Sequence, residues 1–594
     1  MTTTKSTSFW KIFFAALLAL VVGSILFWII TFGIIGSAFK TEPFTVKDKS
    51  VLHITLKEPI RETTSAKFNP NTFELDKNIG LADAMIAIEA AAEDKNISGI
   101  FIDISSASMG FATMYEFRES IENFKKSGKF VVGYNSGEAV TQSALLFSSV
   151  ADENYIFPSS MVEFLGFGAE LTYLKGMFDK LDVEMQVFRG EDNEFKSAVE
   201  PLFMSKMSDS SRLQTQRLMD ALWLEYRETV GESRNLSVSL LDSLAENAVV
   251  RRGAHAVEQK LFDGVKYHDE VMALLKEKSG IDKKDELKMV DFYRYARKKS
   301  EDKKILDAAK SPNVAVLMAA GDISTSGDGI ASNDMVKEIR ELRENEKIKA
   351  VVLRVNSPGG SALASDEMWR ELTLLAEKKT LIVSMGDVAA SGGYYISAPA
   401  HRIFAKRSTI TGSIGVFGVL PYTGKMFNEK LGVTFDYVQT NKHSVMSLNK
   451  KMNQDELRIV QEEVDQIYID FTEIVAKGRN LPLDKVKQIA KGRVWIGEDA
   501  LNIGLVDEIG GLRNAMDYAA KHAKIDKPIY GYYPKKEKGK FDELLLAIVD
   551  DEGKKGKLTH SPLGKEALKA FEMMKTVSEI HGVQMRLPFF IEIK

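Results

Sequence analysis

Four apolar runs, each carrying Val or Ile, punctuate the C-terminal half of the chain: VAVLMAAG (314–321), AVVLRVN (350–356), LIVSMG (381–386) and RIFAK (402–406). They are short and almost unbroken by polar residues, so they read as strands buried on both faces. Between them, NDMVKEIRELREN (333–345) and SDEMWRELTLLAEKK (365–379) space their apolar residues three and four apart. That period predicts helices with one buried stripe. Alternating strands and helices predict an α/β fold around a largely parallel sheet.

The pattern occurs twice. Gly166, Tyr173 and Phe178 return as Gly415, Tyr422 and Phe427, each 249 positions later (415−166, 422−173, 427−178). Further on, Gly253, Ala256, Leu261 and Asp263 return as Gly497, Ala500, Leu505 and Asp507, inside the related phrases RGAHAVEQKLFDGV and IGEDALNIGLVDEI. Matches kept in one order over this distance indicate an internal duplication.

Ahead of the first copy, Ile12 to Phe39 is a run of 28 residues without a charge, between Lys11 and Lys40. As a helix it spans a bilayer core of about 30 Å. Gly36-Ser37-Ala38 offers a cleavage site for the competing reading, a signal peptide, but the apolar run is long for one. Lysines on both flanks leave orientation open. The expected division is an anchor at 1–40, a first repeat at 41–278, a charged linker at 279–312, a second repeat at 313–530 and a tail at 531–594. The tail ends in GVQMRLPFFIEI, an apolar strand whose partner the sequence does not reveal.

Composition narrows the chemistry. In 594 residues, 79 basic and 83 acidic side chains leave a net charge of −4, which provides no drive toward nucleic acid. The absence of cysteine excludes disulfides, thiolate catalysis and cysteine-bound metal. No HExxH and no phosphate-binding glycine loop followed by lysine is present, so no metal or nucleotide cofactor is called for.

The candidate site begins with SMGDVAASGGYY (384–395). Ser391 follows an apolar strand and opens a helix, at the sheet edge where α/β folds place their sites. Gly392 and Gly393 keep backbone N–H groups unobstructed for an anion. RVNSPGGS (354–361) ends another strand, and its Gly359 and Gly360 can turn amides to the same point, completing an oxyanion hole with Gly392. The plainer alternative makes Ser391 a helix cap and the glycines turn residues.

A serine nucleophile needs a base. Of the eight histidines, His401 and His443 lie nearest in the chain, and His443 is the better placed of the two. Comparing the copies suggests another group. At the same offset Ser391 corresponds to Gln142, and Lys196 of GEDNEFKSAVEPLF (190–203) corresponds to Val445 or Met446. One copy keeps a lysine where the other keeps a serine. A desolvated amine can serve as base, because burial disfavours the ammonium. Alone, Lys196 would read as an exposed charge in a charged loop.

AASGGYY, RVNSPGGS, TGSIGV (411–416), KSAVEP (196–201) and IGEDALNIGLVDEIGG (496–511) together resemble the signal peptide peptidase A, or protease IV, family in its long duplicated form. The resemblance implies two tandem Clp-protease/crotonase-like repeats behind an N-terminal transmembrane helix. It implies a serine endopeptidase with Ser391 as nucleophile, Lys196 as base and Ser413 bonded to that lysine. It further implies extended apolar substrates such as released signal peptides, a homotetramer, and a location in the cytoplasmic membrane with the body on its outer side. A crotonase-like acyl-thioester enzyme and a catalytically silent membrane scaffold are the alternatives.

Overall fold

The computed structural model describes residues 44–57, 59–69, 74–327, 329–534 and 584–586, with a few helical positions between 13 and 23. The expected anchor at 12–39 otherwise lies outside the described residues, as does Gly36-Ser37-Ala38. Among the described residues no helix is long and apolar enough to cross a membrane. Two compact units are present. One gathers Met1–Val46, Ala66–Asp76 and Glu537–Gly556; the other, Lys47–Ser65, Lys77–Lys536 and Lys557–Lys594, contains the two sheets and the site.

The duplication is visible strand by strand. In the N-terminal half, β1 (Ser50–Ile54), β2 (Ile97–Asp103), β3 (Phe130–Asn135), β4 (Glu153–Ile156), β5 (Gly264–Val265) and β6 (Met289–Asp291) form a parallel sheet in the order β5-β4-β3-β2-β1-β6. In the C-terminal half, β7 (Val314–Ala320), β8 (Ala350–Ser357), β9 (Thr380–Ala390), β10 (Arg402–Ala405), β11 (Glu508–Ile509) and β12 (Tyr530–Tyr533) are also parallel. Their order, β11-β10-β9-β8-β7-β12, repeats the first with every index raised by six.

The four apolar runs are β7 to β10, and the two patterned segments are the helices Ser332–Glu344 and Ala362–Lys378. Leu353, Val355, Val383 and Met385 face one buried cluster, while Val352 and Ile382 face another. Both faces of the sheet are therefore covered, as parallel sheets require. The segment 279–312, expected as a linker, instead supplies β6 to the first sheet and the helix Phe292–Ala309. Tyr295 and Ala296 of that helix are buried. Lys298 pairs with Asp302 on its exposed side at 2.8 Å, while Lys299 and Lys304 turn toward Asp94 and Asp83 of the first half.

Three further elements build the site: the short helix α1 (Gln142–Ser148), the long helix α2 (Asp209–Arg234) and the short helix α3 (Gly392–Ser397). The halves are joined by hydrogen bonds as well as by packing. The strand Glu184–Arg189 of the first half pairs antiparallel with Phe417–Tyr422 of the second, from Glu184 opposite Tyr422 to Arg189 opposite Phe417. The same sheet takes in Gln584–Arg586, one of the two described pieces of the tail, next to Gly359–Ser361; the other, 531–534, completes the strand β12.

A buried ionic joint adds to this. Arg354 of β8 is fully buried and holds Glu62 through Nε at 2.9 Å and Nη2 at 3.0 Å, with Glu116 2.8 Å from Nη1. Burial opposes its charge, but Glu116 and Glu62 outweigh that and keep the guanidinium protonated. Both carboxylates come from the first half. Breaking such a pair on one side strands a charge in the interior, at a cost of about 3–5 kcal/mol.

Candidate active site

Ser391 sits between β9 and α3 with φ 55° and ψ −115°, a backbone region that side-chain-bearing residues seldom enter. The surrounding bonds impose it: Ser391 N–H donates to Gly412 O at 2.8 Å, and Tyr395 N–H donates to Ser391 O at 2.8 Å. The paired tyrosines anchor the helix behind it. Tyr394 donates to Leu505 O at 2.8 Å and Tyr395 to Asp366 at 2.8 Å. The turn therefore presents a hydroxyl from a rigid base, as a strand-to-helix nucleophile elbow does.

The end of β9 is bent toward this turn by an irregularity in the sheet. Val355 lies opposite Met385, but Ser357 lies opposite Ala389, so β9 carries extra residues at 386–388. Bulges of this kind re-aim the side chains that follow them. Val388 N–H, displaced from the ladder, donates to Asn356 Oδ1 at 3.1 Å. Asp387 accepts from Thr113 N–H at 2.9 Å and from Thr113 Oγ1 at 2.7 Å, so the first half pins the bulge. Burial pushes the Asp387 carboxyl upward against those bonds.

Lys196 reaches this turn from the first half. Its Nζ lies 2.8 Å from Ser391 Oγ, 3.0 Å from Ser413 Oγ and 3.0 Å from Ser413 O. All three residues are fully buried. Burial alone holds the amine well below the usual lysine range. Ser413 is itself at φ 48° and is fixed by donation of its N–H to Arg493 O at 2.7 Å. Gly492, at φ 73°, must be glycine, since a Cβ there would lie 2.5 Å from Lys196 Cβ.

The three glycines of the expected oxyanion hole converge as well. A Cβ on Gly359 would lie 2.7 Å from Gly392 N, and one on Gly392 would lie 3.3 Å from Gly360 N. Gly359 N–H is donated to Ser357 Oγ at 3.1 Å. A Cβ on Gly359 would also overlap the carbonyl oxygen of Met585, so the tail strand runs across this point.

The histidines stand elsewhere. His401 Nδ1 accepts from Leu381 N–H at 3.1 Å at the start of β9, and His443 lies 3.9 Å from Glu456. In the first half the cap residue before the matching helix is Thr141, not the Gln142 expected from the 249-residue offset, because the strand and helix registers here run 250 apart (391−141). Gln142, the next residue, closes the spot, its Oε1 accepting from Leu165 N–H at 2.8 Å and Gly166 N–H at 2.9 Å. Met446 is exposed in a loop, and Val445 O accepts a bond from Lys450. Sequence reasoning missed Gln214, Gly492, Thr113 and Asp387, which brace the site. Gly492 in KGRVW was open to suspicion as a glycine between a helix and a strand; the others carry no local signal.

The description Peptidase family S49 matches residues 123–282 and 373–526, one segment holding Lys196 and the other Ser391 and Ser413. The chain belongs to peptidase family S49. This S49 chain is 32% identical over 493 residues to "Serine protease SPPA, chloroplastic" of Arabidopsis thaliana, which covers 81% of this chain and 70% of the relative. It is 33% identical to "Protease 4" of Salmonella typhi, over 78% of this chain and 75% of that one. "Protease 4" of Haemophilus influenzae is 34% identical over 76% and 74%. A solved mutant of ClpP1 from Listeria monocytogenes aligns over 34% of this chain and 93% of its own at 15% identity and a TM-score of 0.24, too low a score to carry an argument. The S49 chain is thus a serine peptidase with an α/β fold and two family segments, which sets the thioester and scaffold readings aside.

Proposed function

We propose that this serine peptidase is a membrane-tethered endopeptidase that works through a Ser391–Lys196 dyad on extended apolar peptides, released signal peptides among them. One observation carries the reading: a fully buried lysine amine lies 2.8 Å from a serine hydroxyl that is itself held on a strained turn. The neutral amine takes the proton as Ser391 Oγ attacks the peptide carbonyl. Backbone amides at Gly392 and at the Gly359-Gly360 pair receive the oxyanion, Gly359 exchanging its present Ser357 acceptor for it. The C–N bond breaks as Lys196 returns the proton to the leaving amine, and water repeats the sequence on the acyl-enzyme. Ser413 keeps the amine aimed.

An extended substrate is supported by the tail: Gln584–Arg586 lies antiparallel to Gly359–Ser361, and Met585 is buried in the apolar cluster beside it. Peptides recognised as an added strand bind in this manner. Tethering through 12–39, a Clp-protease/crotonase-like form for each repeat, assembly as a homotetramer and a body on the outer side of the cytoplasmic membrane complete the proposal. The test is fluorophosphonate labelling and peptide hydrolysis by the purified chain. Labelling at Ser391 that requires Lys196 and survives His443→Ala supports the dyad; turnover retained in Lys196→Ala overturns it. Co-assembled Ser391→Ala and Lys196→Ala subunits should recover nothing above either alone, since the dyad is read within one chain; recovery would assign the site to neighbouring protomers.

A further inference from the structure

The lysine that the reading above makes the base is not in regular structure. Lys196 has φ −75° and ψ 72°, and Ser197 N–H donates to Phe195 O at 2.8 Å. Those are the dihedrals and the bond of an inverse γ-turn with Lys196 at its apex. That i to i+2 bond and the donation of Lys196 N–H to Asn193 O at 3.1 Å are a slender closure for a residue whose amine must be placed to a few tenths of an ångström.

A second residue grips both ends of the turn. Gln214 of α2 is buried, and its Nε2 donates to Phe195 O at 3.0 Å and to Ser197 Oγ at 2.9 Å. Its Oε1 accepts from Val494 N–H at 3.1 Å. The amide orientation is unambiguous, because Phe195 O can only accept and Val494 N–H can only donate. Val494 follows Lys491-Gly492-Arg493, which also meets the dyad: Phe195 N–H donates to Lys491 O at 3.0 Å, and Ser413 N–H donates to Arg493 O at 2.7 Å. One side chain therefore ties the ends of the lysine turn to the segment that fixes Ser413.

We infer that Gln214 is a positioning residue for the peptidase reaction, holding the γ-turn so that Lys196 Nζ stays between Ser391 and Ser413 and sealed from water. The inference rests on Lys196 being the base. The charged groups around the turn are Glu194 on its own loop, Glu200 on the helix Glu200–Phe203 that follows, and Lys491 and Arg493 on the facing segment. Glu194 is paired with Lys491 at 3.3 Å, Glu200 accepts from Ser208, and Arg493 lies over the Phe195 ring at 5.1 Å. Each is engaged elsewhere, and burial is the cause that lowers the lysine. Letting water reach the amine raises it, so more of the base is protonated at neutral pH.

The test is the pH profile of kcat/KM for Gln214→Met, which keeps length and bulk but makes none of the three bonds, beside wild type, Ser197→Ala and Lys196→Met. Gln214→Met should lose about 10- to 100-fold at pH 7 with KM within about twofold. Its acid limb should move to higher pH by about one unit, so that alkaline assay restores most of the loss. Ser197→Ala removes one of the two anchors, folds independently of the fate of Gln214→Met, and should shift the limb the same way by less. A limb unmoved in whichever variants fold and turn over, whether activity falls uniformly or stays intact, overturns the inference, as does a folded variant that stays inactive at every pH. Turnover by Lys196→Met would instead overturn the base assignment, whatever the Gln214 variant does.

Discussion

Ser391 precedes the short helix α3 of the second copy, and at the corresponding place in the first copy Thr141 precedes α1, with Gln142 as its first residue. Gln142 satisfies its surroundings: Thr141 caps its helix by accepting from Ala144 N–H, and the Gln142 amide spends its carbonyl on Leu165 and Gly166 and its Nε2 on Gly166 O. Ser391 does the reverse. Its helix lacks a side-chain cap, its backbone is strained, and its hydroxyl faces an amine deprived of water. Duplication thus let one copy trade chemistry for internal satisfaction while the other kept the strain that chemistry needs. The lysine shows the same division with the copies exchanged.

The contrast is most exposed at the dyad. Ser391→Ala and Lys196→Ala should each lower kcat/KM by about a thousandfold or more, with melting temperature preserved, because the two groups act as a unit. Lys196→Arg should be equally inactive, since a guanidinium stays charged. Thr141→Ser, which places a serine at the position corresponding to Ser391, should create no second labelled serine; fluorophosphonate incorporation at position 141 would mean the first copy is only masked.

Next comes the closed place in the first copy. Gln142→Ala leaves the N–H groups of Leu165 and Gly166 without their acceptor and should cost about 1–3 kcal/mol in denaturant unfolding while leaving kcat/KM at the wild-type value. A comparable loss of activity would show that the first copy acts on the reaction beyond supplying the lysine. Ser413→Ala should be milder than loss of the dyad, about tenfold in kcat, with Lys196 Nζ still able to reach Ser413 O. Equal rates would remove Ser413 from the mechanism.

The smallest effect separates strain from function. Lys196→Met should melt slightly higher than wild type at neutral pH, because a folded-state lysine held below its unfolded value of 10.5 must give up a proton on folding. In the window from that lowered value up to 10.5 the unfolded chain binds the extra proton, so wild-type stability rises with pH. The advantage of the methionine variant should therefore shrink as pH climbs toward 10.5 and be greatest at the acidic side of the window. An advantage independent of pH would deny that the amine is buried neutral.

Much of this was legible before the fold. Strands β7 to β10 announce themselves because burial on both faces selects unbroken apolar runs. β9 runs past its apolar core to Ala390 because the bulge at 386–388 is held by Asn356 and Thr113 rather than by its own residues. The Phe292–Ala309 helix was masked as a linker by its charged outer face, its buried Tyr295 being outvoted in composition. Ser391, Lys196 and the glycines could be singled out as candidates from small residues around a serine at a strand end and from the lysine that only the first copy keeps, and the fold brings them together. Gln214 was not, since nothing distinguishes it from the other polar residues of α2 until its partners are known.

The duplication, the strand and helix runs, the serine turn after β9 and the lack of cysteine were legible in the sequence alone, because each rests on local period, local backbone freedom or residue type. It took the folded chain to bring Lys196 to a serine 195 positions away, and to make its amine dry when it arrives. That meeting depends on Glu184–Arg189 pairing with Phe417–Tyr422 and on Gly492 yielding room for the lysine backbone. Both are contacts between distant segments, whose loop-closure cost is recovered only when the whole interface forms.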